Sequence, residues 1–420
     1  MIFSLRRQRW PLLALFFLAM CFFLYTSHST RPRRIPRPDS ELPLFPLTKP
    51  PHTVRAHQLP GASRVAPNTP GLFPHPTYTP GVPKPPNSTY TRTLVIPKTS
   101  AEDTAWAEGP KALDPNLTVA IYDVEHADEP GKWPAGLYTV PKNKGHEVMP
   151  YLTYIITHYN NLPDISLFMH AHGIAWHNND LLMSSSAALV THLSSPHVVR
   201  QGYFNLRCHQ DPGCPEHIHT SGNRRPGSPG RQEGEDDANR PEVRIFAKAW
   251  RELLPAEPLP EVLSQPCCAQ FALSRERIRA LPREQYVWFR DWLLDTPLED
   301  RLSGRVWEYI YQYIWKGAAE LCPVEHVCYC DAYGVCFGGK EGYDRYFALR
   351  TEARGIEKDL RERKEKGKGV SEEEEKRLRS RIDELLAEME KLRAEAVERG
   401  KEPGSRAREA GREWKEGDGF

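Results

Sequence analysis

The sequence lacks an excess of charge of either sign: 56 Lys and Arg stand against 55 Asp and Glu in 420 residues. Nucleic-acid binders carry a basic surplus to hold phosphates, so this balance gives no reason to expect such a partner. A Walker A loop, a G-x-G-x-x-G after a strand and a G-x-S-x-G are all missing. P-loop nucleotide hydrolysis, Rossmann-type dinucleotide binding and α/β-hydrolase chemistry therefore leave no footprint. Apolar residues are sparse, at 39%. A packed core must share the chain with segments that do not pack.

Long apolar runs are nearly absent too. The exception is the uncharged PLLALFFLAMCFFLY, residues 11–25, preceded by Arg6, Arg7 and Arg9. It is shorter than the roughly 20 residues of a usual membrane span, and no small-x-small cleavage site follows it. It reads as an uncleaved signal anchor over residues 10–26, with residues 1–9 as a basic cytoplasmic stub. The bulk of the chain then lies in the lumen of the Golgi or endoplasmic reticulum, as a single-pass type II protein. Cleavage of the segment would make the protein secreted.

Cysteine is present, and its number fits that compartment. Cys21 lies in the apolar run, which leaves Cys208, Cys214, Cys267, Cys268, Cys322, Cys328, Cys330 and Cys336. An even set in an oxidising lumen reads as disulfides. The C-x5-C-x-C-x5-C run lacks the short pairs of structural zinc sites. Adjacent Cys267 and Cys268 are expected to reach different partners, and a Cys208–Cys214 pair would pin a tight loop carrying His209. Asn87-Ser-Thr and Asn116-Leu-Thr are acceptor sequences for N-glycans in the lumen.

Eighteen of residues 31–111 are proline. That density blocks helices and sheet ladders, so 27–116 reads as a disordered stem. Residues 117–339 alternate apolar strand-like and helical segments, the pattern of one mixed α/β domain. LTVAIYDVE, LYTV and DISLFMH read as strands. HEVMPYLTYIITHYNNL reads as a helix, and SSSAALVTHL as a serine-capped one. Polar, Gly-rich residues 221–241 read as a disordered insertion. A strand over Cys267–Ala272 precedes two aromatic helices, PREQYVWFRDWLLDT and SGRVWEYIYQYIWKG, with Ser303 as the expected N-cap of the second. Residues 340–420 form a charged tail. Over 371–399, Leu378, Ile382, Leu385, Met389, Leu392 and Ala396 repeat four-three-four-three-four. That seam serves either a homodimeric coiled coil or a helix docked on its own domain. From Gly400 onward the composition reads as disordered.

Three stretches carry candidate chemistry. In FMHAHGIAWHNND, His170 and His172 are two apart at a strand end, which puts them on one face. His177 and Asp180 follow on the loop. Open α/β sheets bind ligands beyond the carboxyl ends of their strands. With Asp123, these histidines would suit Zn²⁺ or Mn²⁺; the plainer reading is hydrogen-bonded loop histidines beside a plugging Trp176. Asp123-Val-Glu125 has the spacing of a cation-binding acidic pair, or is a solvated strand end. In PKNKGHE, Asn143 and Gly145 suit a turn with positive φ. Lys142 and Lys144 bring charge to a helix N-terminus, where anions bind, and Glu147 enters the first helical turn. Arg305 and Glu308 form an ion pair or reach a ligand. A second H-x-H, His217 and His219, follows Cys214. An H-x-H after a strand also fits a metal-dependent hydrolase, which would need an eight-stranded barrel of about 250 residues.

Read in order, VPKNKGHEVMPYLTYIITHYNNLPDISLFMHAH, WHNND, NLRC…GCP, CCAQFALSRERI, RDWLLDT, SGRVWEY and CYCDAYGVC resemble a fungal family of secretory-pathway proteins known as a domain of unknown function. The resemblance covers about 117–339. Its N-K/R-G-x-E block and the following strand ending in histidine are similar to the N-x-G-R-D and L-H of bacterial rhamnan-type glycosyltransferases. That similarity implies a nucleotide-sugar fold and carries over to Asn143, Gly145, Glu147 and His170. The chain departs from the family where a Trp-His pair is expected after E-Y; Tyr311-Gln312 stands there instead.

The leading expectation is thus a luminal glycosyltransferase-like α/β domain taking a nucleotide sugar and a glycan. Glu147 or His177 is the candidate base, Asn143, Lys144, Gly145 and Arg305 the substrate contacts, and His170, His172 and Asp123 the metal ligands. The rival is a non-catalytic, disulfide-built luminal module that binds glycan or protein.

Overall fold

A computed structural model describes residues 76–127, 136–215, 217–220, 241–366 and 369–420. The expected signal anchor, most of the expected stem and the 221–240 insertion lie outside these residues. Among the described residues, no helix is long and apolar enough to cross a membrane.

The first strand, β1 (Arg92–Lys98, RTLVIPK), falls inside the stretch expected to be stem. It is the centre of the sheet. It pairs in parallel with β2 (Leu117–Asp123) on one side and β4 (Ile165–Phe168) on the other. Leu94, Val95 and Ile96 are fully buried, as a strand covered on both faces requires. Proline normally argues against a central strand. Here pairing with β4 stops at Val95↔Phe168, so Pro97 sits past the point where an N–H is needed on that side. The folded domain therefore begins well before residue 117.

β3 (Tyr138–Thr139) extends the sheet beyond β2, and β8 (Phe271–Ser274) joins β4 antiparallel, followed by β5 (Tyr203–Asn205). The order is β3-β2-β1-β4-β8-β5, an open mixed sheet of six strands. β8 is shorter and later than the strand expected over Cys267–Ala272. β6 (Ile218–His219) and β7 (Val262–Leu263) form a separate two-stranded sheet that holds His219. An open sheet is not the eight-stranded barrel of the hydrolase alternative.

With α1 (Glu108–Leu113) after β1 and α6 (Arg275–Arg279) after β8, helices cover both faces, giving three layers. Val95 and Phe168 face α2 (Val148–His158), α5 (Pro241–Leu253), α7 (Arg283–Asp295), α8 (Asp300–Glu308) and α9 (Tyr311–Lys316). Leu94, Ile96 and Leu167 face α3 (Ser186–His192), α4 (Ser195–Gln201) and α10 (Glu325–Tyr333). The serine cap of α3 is present: Ser185 accepts from the Ala188 N–H. Ser303 is not a cap. It lies within α8, its hydroxyl donating to the Asp300 carbonyl at 2.9 Å.

The tail is folded. α11 (Lys340–Glu365) and α12 (Glu372–Arg399) pack as a hairpin, and α13 (Pro403–Glu409) packs on α10. Ile382, Leu385, Met389 and Ala396 are buried within the chain, so the heptad seam docks on its own domain. Past Gly400, where disorder was expected, Arg412 reaches back to Asp331 at 2.7 Å.

The eight cysteines among the described residues pair, as Cys208–Cys328, Cys214–Cys322, Cys267–Cys268 and Cys330–Cys336. Cys208 and Cys214 thus bond to the α10 region rather than to each other. The adjacent pair does form. It needs an irregular backbone, and Cys268 and Ala269 take φ of 87° and 49°.

Candidate functional site at the carboxyl edge of the sheet

The chain passes from β1 outward through β2 and β3, then crosses back to β4 on the far side of β1. That reversal is a topological switch point, where open α/β sheets leave a crevice for ligands. The ends of β2, β3 and β4 meet at this edge. Because β8 is antiparallel, Gln270 and the Cys267–Cys268 turn come to it as well.

PKNKGHE leaves β3 at this edge and is clamped between two helices. Gly145 has φ of +75°, and a Cβ there would stand 2.7 Å from the Leu293 side chain of α7. On α8, a Cβ on Gly304 would meet His146 at 2.8 Å and the Gly145 backbone at 3.2 Å. The His146 N–H donates to Asp300 at 3.1 Å. The clamp delivers Glu147 to the start of α2 and beside Glu308, whose Oε1 accepts from the Cys268 N–H at 2.8 Å. Glu147 as a residue keeps some exposure, but its carboxyl is enclosed. Burial, reinforced by Glu308 and Asp300 against Arg305, pushes it up to about 8. Tyr151 and Tyr311 feel the Glu147 charge, and both hydroxyls are buried without a partner among the described residues.

The loop after β4 forms the other wall. Strand geometry ends at Phe168, so the expected alternation does not reach the histidines. His170 turns inward and His172 turns out, its side chain 61% exposed and 3.9 Å from Glu102. His177 takes the inner place, its ring 5.0 Å from that of His170. Both inner rings have a buried Nε2 with no partner among the described residues. Burial first, then neighbouring positive charge, lowers His170 to about 3 and His177 to about 4. Both are neutral imidazoles at physiological pH. The loop is braced by Trp106 Nε1 donating to the Ala171 carbonyl at 2.6 Å and by Ser186 Oγ donating to that of His172 at 2.7 Å. Gln270 spans the gap, accepting from the His170 N–H and donating to Asn178.

Several expected residues are placed otherwise. Asp123 is committed to a turn, accepting from the Glu125 and His126 N–H groups at 2.9 and 3.2 Å and contacting the His126 ring at 2.8 Å. Burial opposes its ionisation, but these partners outweigh it and hold the carboxyl low. Lys144 gives its ammonium to the Thr296 carbonyl at 2.8 Å. Asn143 and Arg305 are exposed beside the clamp. His170, His172 and Asp123 are not gathered as a metal set. Among the described residues, the His, Cys and acidic ligand atoms that converge within 4.8 Å are those of Cys330, Cys336 and Glu409, and those two cysteines are bonded to each other. Zn²⁺ or Mn²⁺ does not fit the predicted ligands. Gln312, where the resemblance led us to expect a histidine, is buried and donates to the Tyr309 and Ala319 carbonyls. Asn87 is exposed and Asn116 half-buried.

Sequence reasoning missed Tyr151, Tyr311 and Gln270 as parts of the site. Tyr151 and Tyr311 carry a core-like helical spacing, and nothing local distinguishes a packed tyrosine from one whose hydroxyl is left over.

Residues 94–331 match the family described as "Protein of unknown function (DUF3431)". The match spans more than half of the chain, and the protein belongs to that family. No curated protein and no solved structure matches it.

Proposed function

We propose that this protein is a glycosyltransferase of the secretory pathway, held as a type II membrane protein by its N-terminal apolar run, with the switch-point crevice binding a nucleotide sugar. One observation carries this reading. An enclosed carboxyl beside two tyrosine hydroxyls, and two neutral imidazoles with buried nitrogens, lie along the carboxyl edge of the sheet, where open α/β sheets bind ligands, and none of these hydroxyls and nitrogens has a partner among the described residues. Orphaned buried polar groups are rare and call for a partner. A carboxyl titrating near neutrality is matched to proton transfer, so Glu147, in the fraction that has lost its proton as pH rises toward about 8, is the base that takes the proton of an acceptor hydroxyl. Lys142 and Arg305, exposed beside the clamp, supply charge for the donor's diphosphate. Four disulfides and the two glycan acceptor sequences support a luminal setting.

The test is a thermal-shift screen of the full chain against nucleotide diphosphate sugars, followed by transfer assays on any donor that stabilises it. Glu147→Gln is expected to keep the shift and lose transfer by at least about 100-fold. Absence of stabilisation by every donor would overturn the reading and favour a binding module.

A further inference from the structure

Cys267–Cys268 joins neighbours in the chain. A disulfide stabilises mainly by closing a loop of the unfolded chain, and the gain grows with loop length. Cys208–Cys328 and Cys214–Cys322 close separations of 120 and 108 residues. The adjacent pair closes a separation of 1, so it adds almost nothing as a staple. Its effect is on the backbone it encloses.

That backbone is unusual. Cys268 and Ala269 are successive L residues at positive φ, a region such residues visit singly and at a cost. The turn they make touches three neighbours. The Cys267 N–H donates to the Pro212 carbonyl in the loop after β5 at 3.0 Å. The Cys268 N–H donates to Glu308 of α8 at 2.8 Å. Gln270, next along and 3% exposed, accepts from the His170 N–H at 3.2 Å and donates to Asn178 at 2.8 Å. Glu308 is an acid whose charge bears on Glu147. One turn therefore holds partners in both walls of the crevice.

The bond is also within reach. Cys267 is buried, but Cys268 is half-buried. Cys208–Cys328 and Cys330–Cys336 are buried at both ends. Cys214–Cys322 is half-buried too, but neither of its cysteines has positive φ, so opening it relieves no such backbone. Strained, accessible disulfides are the ones that thiols open most readily.

We propose that Cys267–Cys268 is a reducible site, opened by a dithiol, and that its opening frees Glu308 and Gln270 and loosens both walls of the crevice. A thiolate of the dithiol attacks Cys268 Sγ, and the S–S bond breaks toward Cys267, whose thiolate takes up a proton. The dithiol's second sulfur then displaces Cys268 from the mixed disulfide, and Cys268 is protonated in turn. The dithiol gives up two electrons and two protons and leaves as its own disulfide, and the two cysteines receive them. Loss of transfer on reduction rests on the transferase reading; the reducibility and the loosening do not.

The native full chain is titrated with dithiothreitol, free thiols are alkylated, and the labelled positions are located by peptide mass spectrometry. Cys267 and Cys268 are expected to label at a dithiothreitol concentration at least about 10-fold below that needed for the other six cysteines of the described residues. On protein reduced at that pair alone, hydrogen exchange is expected to quicken about 10-fold or more at the Cys268 and His170 amides, while the amides of β1 and β2 keep their protection. The Cys267→Ser, Cys268→Ser double variant should exchange like the reduced protein without any reductant. Labelling of another pair at an equal or lower concentration would overturn the proposal. So would unchanged exchange at both amides after reduction, or a rise spread through β1 and β2, which would make the bond a staple of the fold. A failed donor screen beside intact redox behaviour would sink the transferase reading alone.

Discussion

Glu147 is a carboxyl kept protonated by its surroundings. Its folded-state value of about 8 lies above the 4.5 of an exposed glutamate. Between these values the folded state holds a proton that the unfolded state has released, so Glu147 costs stability as pH rises through that window. Glu147→Gln is therefore expected to melt higher than wild type at pH 8, with the gap closing toward pH 4.5. Melting curves of both across pH check this. Wild-type activity should show an ionisation near 8 that the variant lacks. The inner histidines run the other way. His177 is depressed from 6.5 to about 4, so its contribution is present above pH 6.5 and is lost as pH falls toward 4. His177→Gln should flatten that acid limb in the same experiment. Residue identity marked both positions in the sequence. Which histidine of the three points outward was not legible, because β4 ends at Phe168 and the two-residue alternation fails past it.

At the scale of elements, the clamp on PKNKGHE decides the site. Gly304 lets α8 approach the Gly145 turn, and any Cβ there intrudes on His146 and on backbone. Gly304→Ala is expected to cost about 1–3 kcal/mol and to reduce activity beyond that loss by displacing Glu147. Tm and kcat measured together separate the two effects. Most elements were legible. The period of Val148, Tyr151, Leu152 and Ile155 predicts α2, and the serine run predicts the cap of α3. β1 was not, because a three-residue apolar run, Leu94–Ile96, ahead of a proline looks like stem until a sheet needs its centre. The helix break at Tyr309–Ile310 also left no local sign.

Over the whole molecule, the tail is part of the domain. Asp331, at the end of the family match, is 4% exposed and receives the His197 ring at 2.7 Å, Arg200 at 3.2 Å and Arg412 at 2.7 Å. Burial works against its charge, but His197 and the two guanidiniums hold it far below the ordinary range. His197 is itself lowered, burial outweighing Asp331. The pair is thus a neutral imidazole donating Nδ1–H to a carboxylate, with the arginines carrying the positive charge. Asp331→Asn should cost about 3–5 kcal/mol, a loss that wild type suffers only as pH falls below about 4. Denaturant melts at pH 7 and pH 3 check this. Ending the chain at Gly339 strips Arg412 and the cover over Tyr329, Val335 and Phe337. The shortened protein is expected to aggregate on expression, read by size-exclusion chromatography.

Composition and periodicity alone determined an α/β domain with an even set of cysteines beyond the N-terminal apolar run, a docking or dimerising tail helix and a candidate site loop at a strand end. Those properties are local, and repeat every two, three or four residues. Tertiary structure alone decided which cysteines bond, that Arg92–Lys98 is the central strand, and that Glu147 is the carboxyl raised toward neutrality while Asp123 is held low. Each depends on what a distant segment brings to the same place. Solvent exclusion and neighbouring charge, which set a site's chemistry, are properties of that meeting and not of any stretch of chain.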